Sequence, residues 1–345
     1  GNYPTGTNNV ALGDTALDSV TTGAGNVAIG SNSGTALTEG DQNTFVGKSS
    51  GIANTTGDRN TAIGSEALDA NTTASDNTAV GYRTLTANTT GTSNTAVGAS
   101  AGSAITTASN SVFIGLRAGN NITTGNSNIA IGVDTLTGNV TGARNTAVGH
   151  NSLVVSTASD NTALGANTLP TNTTGGNNTA VGNSALGANT TASNNTAIGV
   201  NALLRNTTGG GNTAVGSASL VNNTTASNNT AIGQQALNAN TTGTQNTSIG
   251  VSSLVDNTTG SYNTGLGYIA LFENTTGGQN TAVGNAALRN NTTAANNTAM
   301  GYHALHQNTT GAQNTAVGTS AGAAITTAVN NVLMGYQAGD AITTG

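Results

Sequence analysis

A glycine that closes the motif N-T-A-V/I-G returns along the whole chain and narrows the folds open to it. It stands at Gly13, Gly30, Gly47, Gly64, Gly81 and Gly98, and so on to Gly335, twenty times in 345 residues. Every step is 17 residues except Gly149 to Gly165, which is 16 because the segment VVSTASD is one residue short. Self-similarity at a short fixed period marks a repeat architecture, and it takes precedence over a domain count based on length. Residues 1–345 therefore read as a single continuous repeat domain.

Each position of the repeat has its own preference. The residue before the marker glycine is aliphatic or Met, and the residue three before it is Thr, Val or Ile, as at Val10, Val27, Val112, Ile129 and Val332. Alternation of this kind over three residues predicts a short strand whose inner face carries those two positions. The expected core on that reading includes Leu12, Ile63, Val80, Val97, Ile114, Val181 and Ile198. A second apolar position lies four residues after the marker. It is Leu in fourteen copies, Leu68 and Leu186 among them, and Gly in six. Five of those six restore an aliphatic residue three positions later, including Ile105 and Ile325, where most Leu copies have Asn. A packed turn has a reason to make that exchange, because an empty core site costs roughly 2–5 kcal/mol for a buried Leu.

Helical repeats need about 33–34 residues per unit. Seventeen residues rich in Gly, Asn and Thr favour turns and caps instead. The chain is thus expected to be all-β, a parallel β-solenoid or β-roll of about 20 turns of 17 residues. With turns about 4.8 Å apart it would form a rod about 95 Å long. Asn60, Asn77 and Asn94, four residues before the markers Gly64, Gly81 and Gly98, are expected to form one amide ladder at a corner; Asn71 and Asn88 belong to a second. The alanines two before the marker, such as Ala28, Ala62, Ala96 and Ala130, would then point outward. A thin core for one chain and a flat stripe of small residues together suggest contact with identical neighbours. Phe113 and Leu333, which interrupt that stripe, would pack in a wider intersubunit space.

The strand segments NNVALG (Asn8–Gly13), GNVAIG (Gly25–Gly30) and SNIAIG (Ser127–Gly132) resemble the NSVAIG element in the heads of trimeric autotransporter adhesins. The resemblance runs the length of the chain as a repeat pattern. It implies a left-handed parallel β-roll packed as a homotrimer, a head that binds host surface or matrix proteins, and display on a bacterial outer surface. Similar N-T-A-I-G arrays occur in phage tail-fibre-like proteins. The family's turn is usually shorter than 17 residues, and its stalk, neck and membrane anchor are not among these residues. An excised head, or another extracellular fibre built on the same coil, is expected.

Composition narrows the function further. Charged residues make up 6% of the chain, the seven Lys and Arg are scattered, and the net charge is -6, so no phosphate-binding patch forms and no nucleic-acid partner is expected. There is no Cys, no apolar run long enough to cross a membrane, and no charged start followed by an apolar stretch that would mark a signal peptide. The segments GNYPTG and AITTG at the two ends do not look like solenoid caps, so flanking protein or end-to-end stacking into filaments is expected.

Chemistry is not evident, and neither cofactor nor metal is expected. His150, His303 and His306 are the only histidines, and no third ligand type recurs beside the last two. Asp58, Asp76 and Asp160 stand singly before their strands, without the close carboxylate pair of glycosidic chemistry. Paired threonines such as Thr72–Thr73 and Thr190–Thr191 could build an ice-binding ladder, but adjacent strand residues face opposite ways, leaving one file per surface. The NTT triplets also match the N-glycosylation pattern. The expected role is a non-enzymatic extracellular rod, structural or adhesive, with a phage fibre shaft or a self-assembling filament subunit as the alternatives. Tyr82, Arg83, Tyr268, Phe272, Tyr302 and Gln337 sit at variable positions that could present contacts.

Overall fold

The computed structural model describes residues 6–344; Gly1–Thr5, most of the start segment expected to lack a cap, and Gly345 lie outside the described residues. The chain divides into two compact units, Gly1–Thr174 and Gly175–Gly345. The first carries ten three-residue strands, from β1 (Val10–Leu12) to β10 (Thr162–Leu164). The second carries ten more, from β11 (Thr179–Val181) to β20 (Val332–Met334). Within each unit every strand pairs in parallel with the strand one turn on, with no offset, as in Thr196↔Thr213, Ala197↔Ala214 and Ile198↔Val215. The fold is an all-β parallel solenoid. The 16-residue turn keeps this register, since Thr162 still pairs with Thr146 and Ala163 with Ala147. The missing residue is lost from the corner around Ser156, whose hydroxyl accepts from Asn172 Nδ2 at 3.2 Å where other turns have Asn.

The strand faces the other way from the expectation. Its middle residue is the inner one: Ala28, Ala62, Ala96 and Ala130 are fully buried, as is Phe113. The flanking aliphatic positions face outward. Leu12 is 67% exposed and Ile63 40%, with Val97, Ile114 and Ile198 exposed to a similar degree and Val80 and Val181 half-buried. The reason is volume. The Leu four after the marker reaches across the coil to the strand of the following turn. A Cβ built at Gly265, the inner strand position, would lie 3.3 Å from Leu254 Cδ1. Little more than a methyl group fits opposite such a Leu. Leu68 and Leu186 are fully buried in this role.

Where that Leu is replaced by Gly, the exchange runs in two directions. Ile105 and Ile325 are fully buried and fill the space from three residues on. The strand residue also grows. Phe113 lies between Gly102 and Gly119, and a Cβ at Gly102 would lie 3.1 Å from its ring. Phe45 sits between Gly34 and Gly51 in the same manner, and Leu333, half-buried, lies between Gly322 and Gly339. Phe45 and Phe113 are therefore core side chains of their own chain, and Leu333 points the same way, where an intersubunit position was expected.

Backbone conformation explains why Leu and Gly share one position. The Leu residues there have φ of 47–54°, and the Gly residues 57–72°. The corner demands a left-handed residue, which costs an L-amino acid roughly 1–2 kcal/mol. Burying the Leu side chain offsets that with about 1.5–3 kcal/mol. The marker glycine is more restricted still, with φ of 121–140° in every described copy. A Cβ at Gly199 would lie 2.6 Å from the carbonyl of Gly216 in the next turn.

Long repeat arrays do not unfold in one step, so core substitutions are best read by local hydrogen exchange. Phe113→Ala is expected to cost about 3–5 kcal/mol and to strip protection from the turns beside it. Ala96→Phe, opposite Leu85, should do comparable damage by overpacking. Val97→Thr, one residue away and outward, should leave protection unchanged. Equal loss for Val97→Thr and Ala96→Phe would contradict this orientation of the strand.

Candidate functional site

Two asparagine files close the corners of each turn from inside. In the first, each Asn donates its backbone N–H to the Oδ1 of the Asn one turn earlier: Asn60 to Asn43 at 2.9 Å, Asn77 to Asn60 at 3.0 Å and Asn94 to Asn77 at 3.1 Å. Its Nδ2 donates to a carbonyl 14 residues on, as Asn60 does to Ala74 O at 2.8 Å. In the second file the side-chain amides bond one another, Asn71 Nδ2 to Asn54 Oδ1 at 2.6 Å and Asn88 Nδ2 to Asn71 Oδ1 at 3.2 Å. The two files meet, because Asn71 Nδ2 also donates to Ala74 O, at 3.0 Å. Ser111, the one exception in the first file, serves with its hydroxyl, which accepts the Asn128 N–H at 3.1 Å. The second file stops where the core exchange occurs. Ile105 and Ile325 stand where the next amide would be, and the buried Oδ1 atoms of Asn88 and Asn308 have no partner. Apart from those two oxygens, the asparagines described are engaged by the protein itself, and they are buried from solvent.

The outward surface of the strands is the feature that can act. In each unit the Thr or β-branched residue that opens a strand and the aliphatic residue that closes it form two parallel files in exact register. Both carry uncharged side chains, half-buried or exposed. This is the surface that the sequence reading assigned to the core. The alanines proposed for subunit contact are enclosed within their own chain. The sequence did hold a signal for the correct orientation: the Phe, Leu and Gly exchanges follow the alanine position, and only an inner residue has its size coupled to a neighbour.

Several arginines are paired with acids along the coil. Arg59 donates from Nε to Asp76 Oδ1 at 2.6 Å and from its second nitrogen to Asp76 Oδ2 at 3.0 Å, one turn on. Arg117 with Asp134 and Arg144 with Asp160 repeat this two-pronged contact. The guanidinium hydrogen bonds hold the carboxyls of Asp76, Asp134 and Asp160 below the ordinary range. Arg83 pairs with Glu66 at 3.3 Å, and Arg289 with Glu273 at 3.9 Å. Arg289 also lies over the Phe272 ring at 5.5 Å. A shallow groove of about 430 Å³ is lined by Arg83, Ser103, Arg117 and Asn120, but both of its arginines are engaged by acids. Asp256 and Glu273 occupy the same repeat position in successive turns, which their 17-residue spacing could have shown. Burial, and then the charge of Glu273, raises the Asp256 carboxyl.

The histidines form a small aromatic stack. Tyr302 and His303 lie face to face at 3.9 Å, and His306 follows at 4.5 Å from His303. Burial, then the charges of His303 and Arg289, pull His306 below its ordinary range. No group of three His, Asp or Glu side chains that could hold a metal ion occurs among the described residues. Gln337 and Tyr82 are exposed, and Phe272 is half-buried under its arginine. No family model matches the chain, and no curated protein matches it. The fold itself is consistent with a non-catalytic structural role, and no helix among the described residues is long and apolar enough to cross a membrane.

Two outcomes are expected. Asn212→Ala removes the acceptor of the Asn229 N–H (3.0 Å) and one of the two amide donors to Ala226 O, leaving Asn223 alone there at 2.9 Å. It should cost roughly 1–3 kcal/mol, measured as lost exchange protection in that turn, with Asn212→Ser milder because Ser111 already works in this place. For His306, a depressed folded pKa means that its stabilising contribution is complete above the unfolded value near 6.5 and is lost as pH falls through the lower folded value. Melting at pH 7.5 and pH 5 should show a loss on acidification that His306→Gln reduces. An unchanged pH response in that variant would exclude the assignment.

Proposed function

We propose that the chain is a non-enzymatic structural and adhesive element of an extracellular fibre, and that it assembles with identical copies, as a homotrimer, through the outward strand surface. The observation that carries this reading is the pair of uncharged files in register. Isolated exposed aliphatic residues are normal on any protein, whereas a contiguous file of them marks a contact surface. Here Ile198 and Ile232 in unit 2, and Ile29 and Ile63 in unit 1, belong to such files. A partner carrying the same 17-residue rhythm matches them turn for turn. Three copies around a three-fold axis would shield the aliphatic files from water and leave the other sides of each coil free. The files themselves carry no charged side chain, so close approach of a second copy there desolvates no ion. The resemblance to trimeric adhesin heads supports the number three and the extracellular setting.

Sedimentation equilibrium tests the assembly. Three chains of 33.3 kDa should give a concentration-independent mass near 100 kDa. Ile198→Lys combined with Ile232→Lys, both outward, should lower the mass to that of one chain without changing the circular dichroism spectrum. A wild-type chain of 33.3 kDa would overturn the proposal.

A further inference from the structure

Unit 2 carries a second surface periodicity, twice as long as the repeat. The residue just after the marker glycine points to solvent, and at Tyr268, Tyr302 and Tyr336 it is tyrosine, each 34 residues from the next. The three are 55%, 52% and 74% exposed. Between them stand Asn285 and Thr319, exposed and uncharged. Strands in register lie about 4.8 Å apart, so two turns separate successive rings by about 9.6 Å. The aliphatic file beside the tyrosines follows the same rhythm. Met300 and Leu266 are exposed in the tyrosine turns, and Val283 and Val317 are half-buried in the turns between. One face of the Tyr302 ring stacks on the parallel ring of His303, 3.9 Å away.

We propose that this tyrosine file binds extended β-1,4-linked polysaccharide chains, of the cellulose or chitin type, lying along the coil axis. The chemistry is complementary at each level. The axial C–H bonds of a β-pyranose make its faces apolar, and such faces stack on aromatic rings. Its edges carry hydroxyl groups, which Asn285 and Thr319 can meet with neutral hydrogen-bonding partners. An extended β-1,4 chain returns to the same ring orientation every second sugar, about 10 Å along its axis, close to the two-turn spacing of the tyrosines. A polymer without charge also suits a surface without charge. Three shallow contacts that are each weak become useful when one chain engages all of them together. The tyrosines follow the marker glycine, past the end of the strand, and are different residues from those of the strand files.

Depletion from suspensions of microcrystalline cellulose and of chitin, with cross-linked dextran as the α-linked control, tests the proposal on the full chain. Binding to one or both β-1,4 polymers and not to dextran is expected, and comparing the two identifies the preferred sugar. Tyr268→Ala, Tyr302→Ala and Tyr336→Ala should each weaken binding roughly fivefold, and the triple variant should abolish it. The decisive variant pairs Asn285→Tyr with Tyr302→Asn, which keeps the composition and moves the central ring by one turn. It should bind no better than Tyr302→Ala. Absence of depletion by either β-1,4 polymer, or undiminished binding by the relocated variant, would overturn the proposal. The sedimentation mass of the same samples shows separately whether assembly is intact.

Discussion

Each turn of this coil has room for only one or two large side chains, and most of the sequence follows from that. The Leu at the left-handed corner takes the space in fourteen turns, and the strand residue opposite is then Ala, Ser or Gly. Remove the Leu and the volume must return from elsewhere. Phe45 and Phe113 return it from the strand, while Leu37, Ile105 and Ile122 return it from the following corner. A cavity of Leu size would cost several kcal/mol in a turn that buries little else. The coupling is local to adjacent turns, so the two solutions can alternate along one chain without changing its register.

The rest of the interior is polar, which for so narrow a coil is a necessity. The tight corners leave carbonyls and N–H groups pointing inward, away from water. Left unpaired, each would cost about 1–3 kcal/mol. Asparagine is suited to the task because one side chain supplies both an acceptor and two donors at fixed separation. Asn60 accepts from the N–H of the next turn and donates to Ala74 O. Asn71 adds its own donation to that same oxygen. Repetition of the amide at the same height in every turn makes each rung the partner of the next. The unpaired Oδ1 of Asn88 shows the cost of interrupting the file, and there the packing requirement of Ile105 prevails over the hydrogen bond.

The period, the parallel pairing, the strand positions and both asparagine ladders were legible in the sequence, because each recurs turn after turn and requires no knowledge of depth. The direction of the strand was not. Threonine and valine on either side of alanine read as an inner face by hydrophobicity, and that rule assumes a core wide enough to take the larger residues. Here the core is filled from the opposite wall. Leu12, Ile63 and Ile198 are outside for that reason, and Ala62 is inside. The size exchange between Phe113 and Gly102 was visible in the sequence, and its logic assigns the alanine position to the interior. The outward pairing of Arg59 with Asp76 and Arg117 with Asp134 likewise needed only the 17-residue spacing between partners.

A coil specified so fully from inside leaves its outward positions free to vary, but not free in space. Any side chain placed there inherits the rise of the turn, so the outer surface can present only spacings that are multiples of about 4.8 Å. Single-turn spacing produces the continuous aliphatic files, which suit another copy of the same coil. Double spacing produces the tyrosine file of unit 2. A rigid linear polymer with a repeat close to two turns matches it, and the rings need no loop or pocket to hold them at that distance. The backbone that packs the core thus also sets the ruler for recognition, and a change of ligand requires only a change in which turns carry the ring.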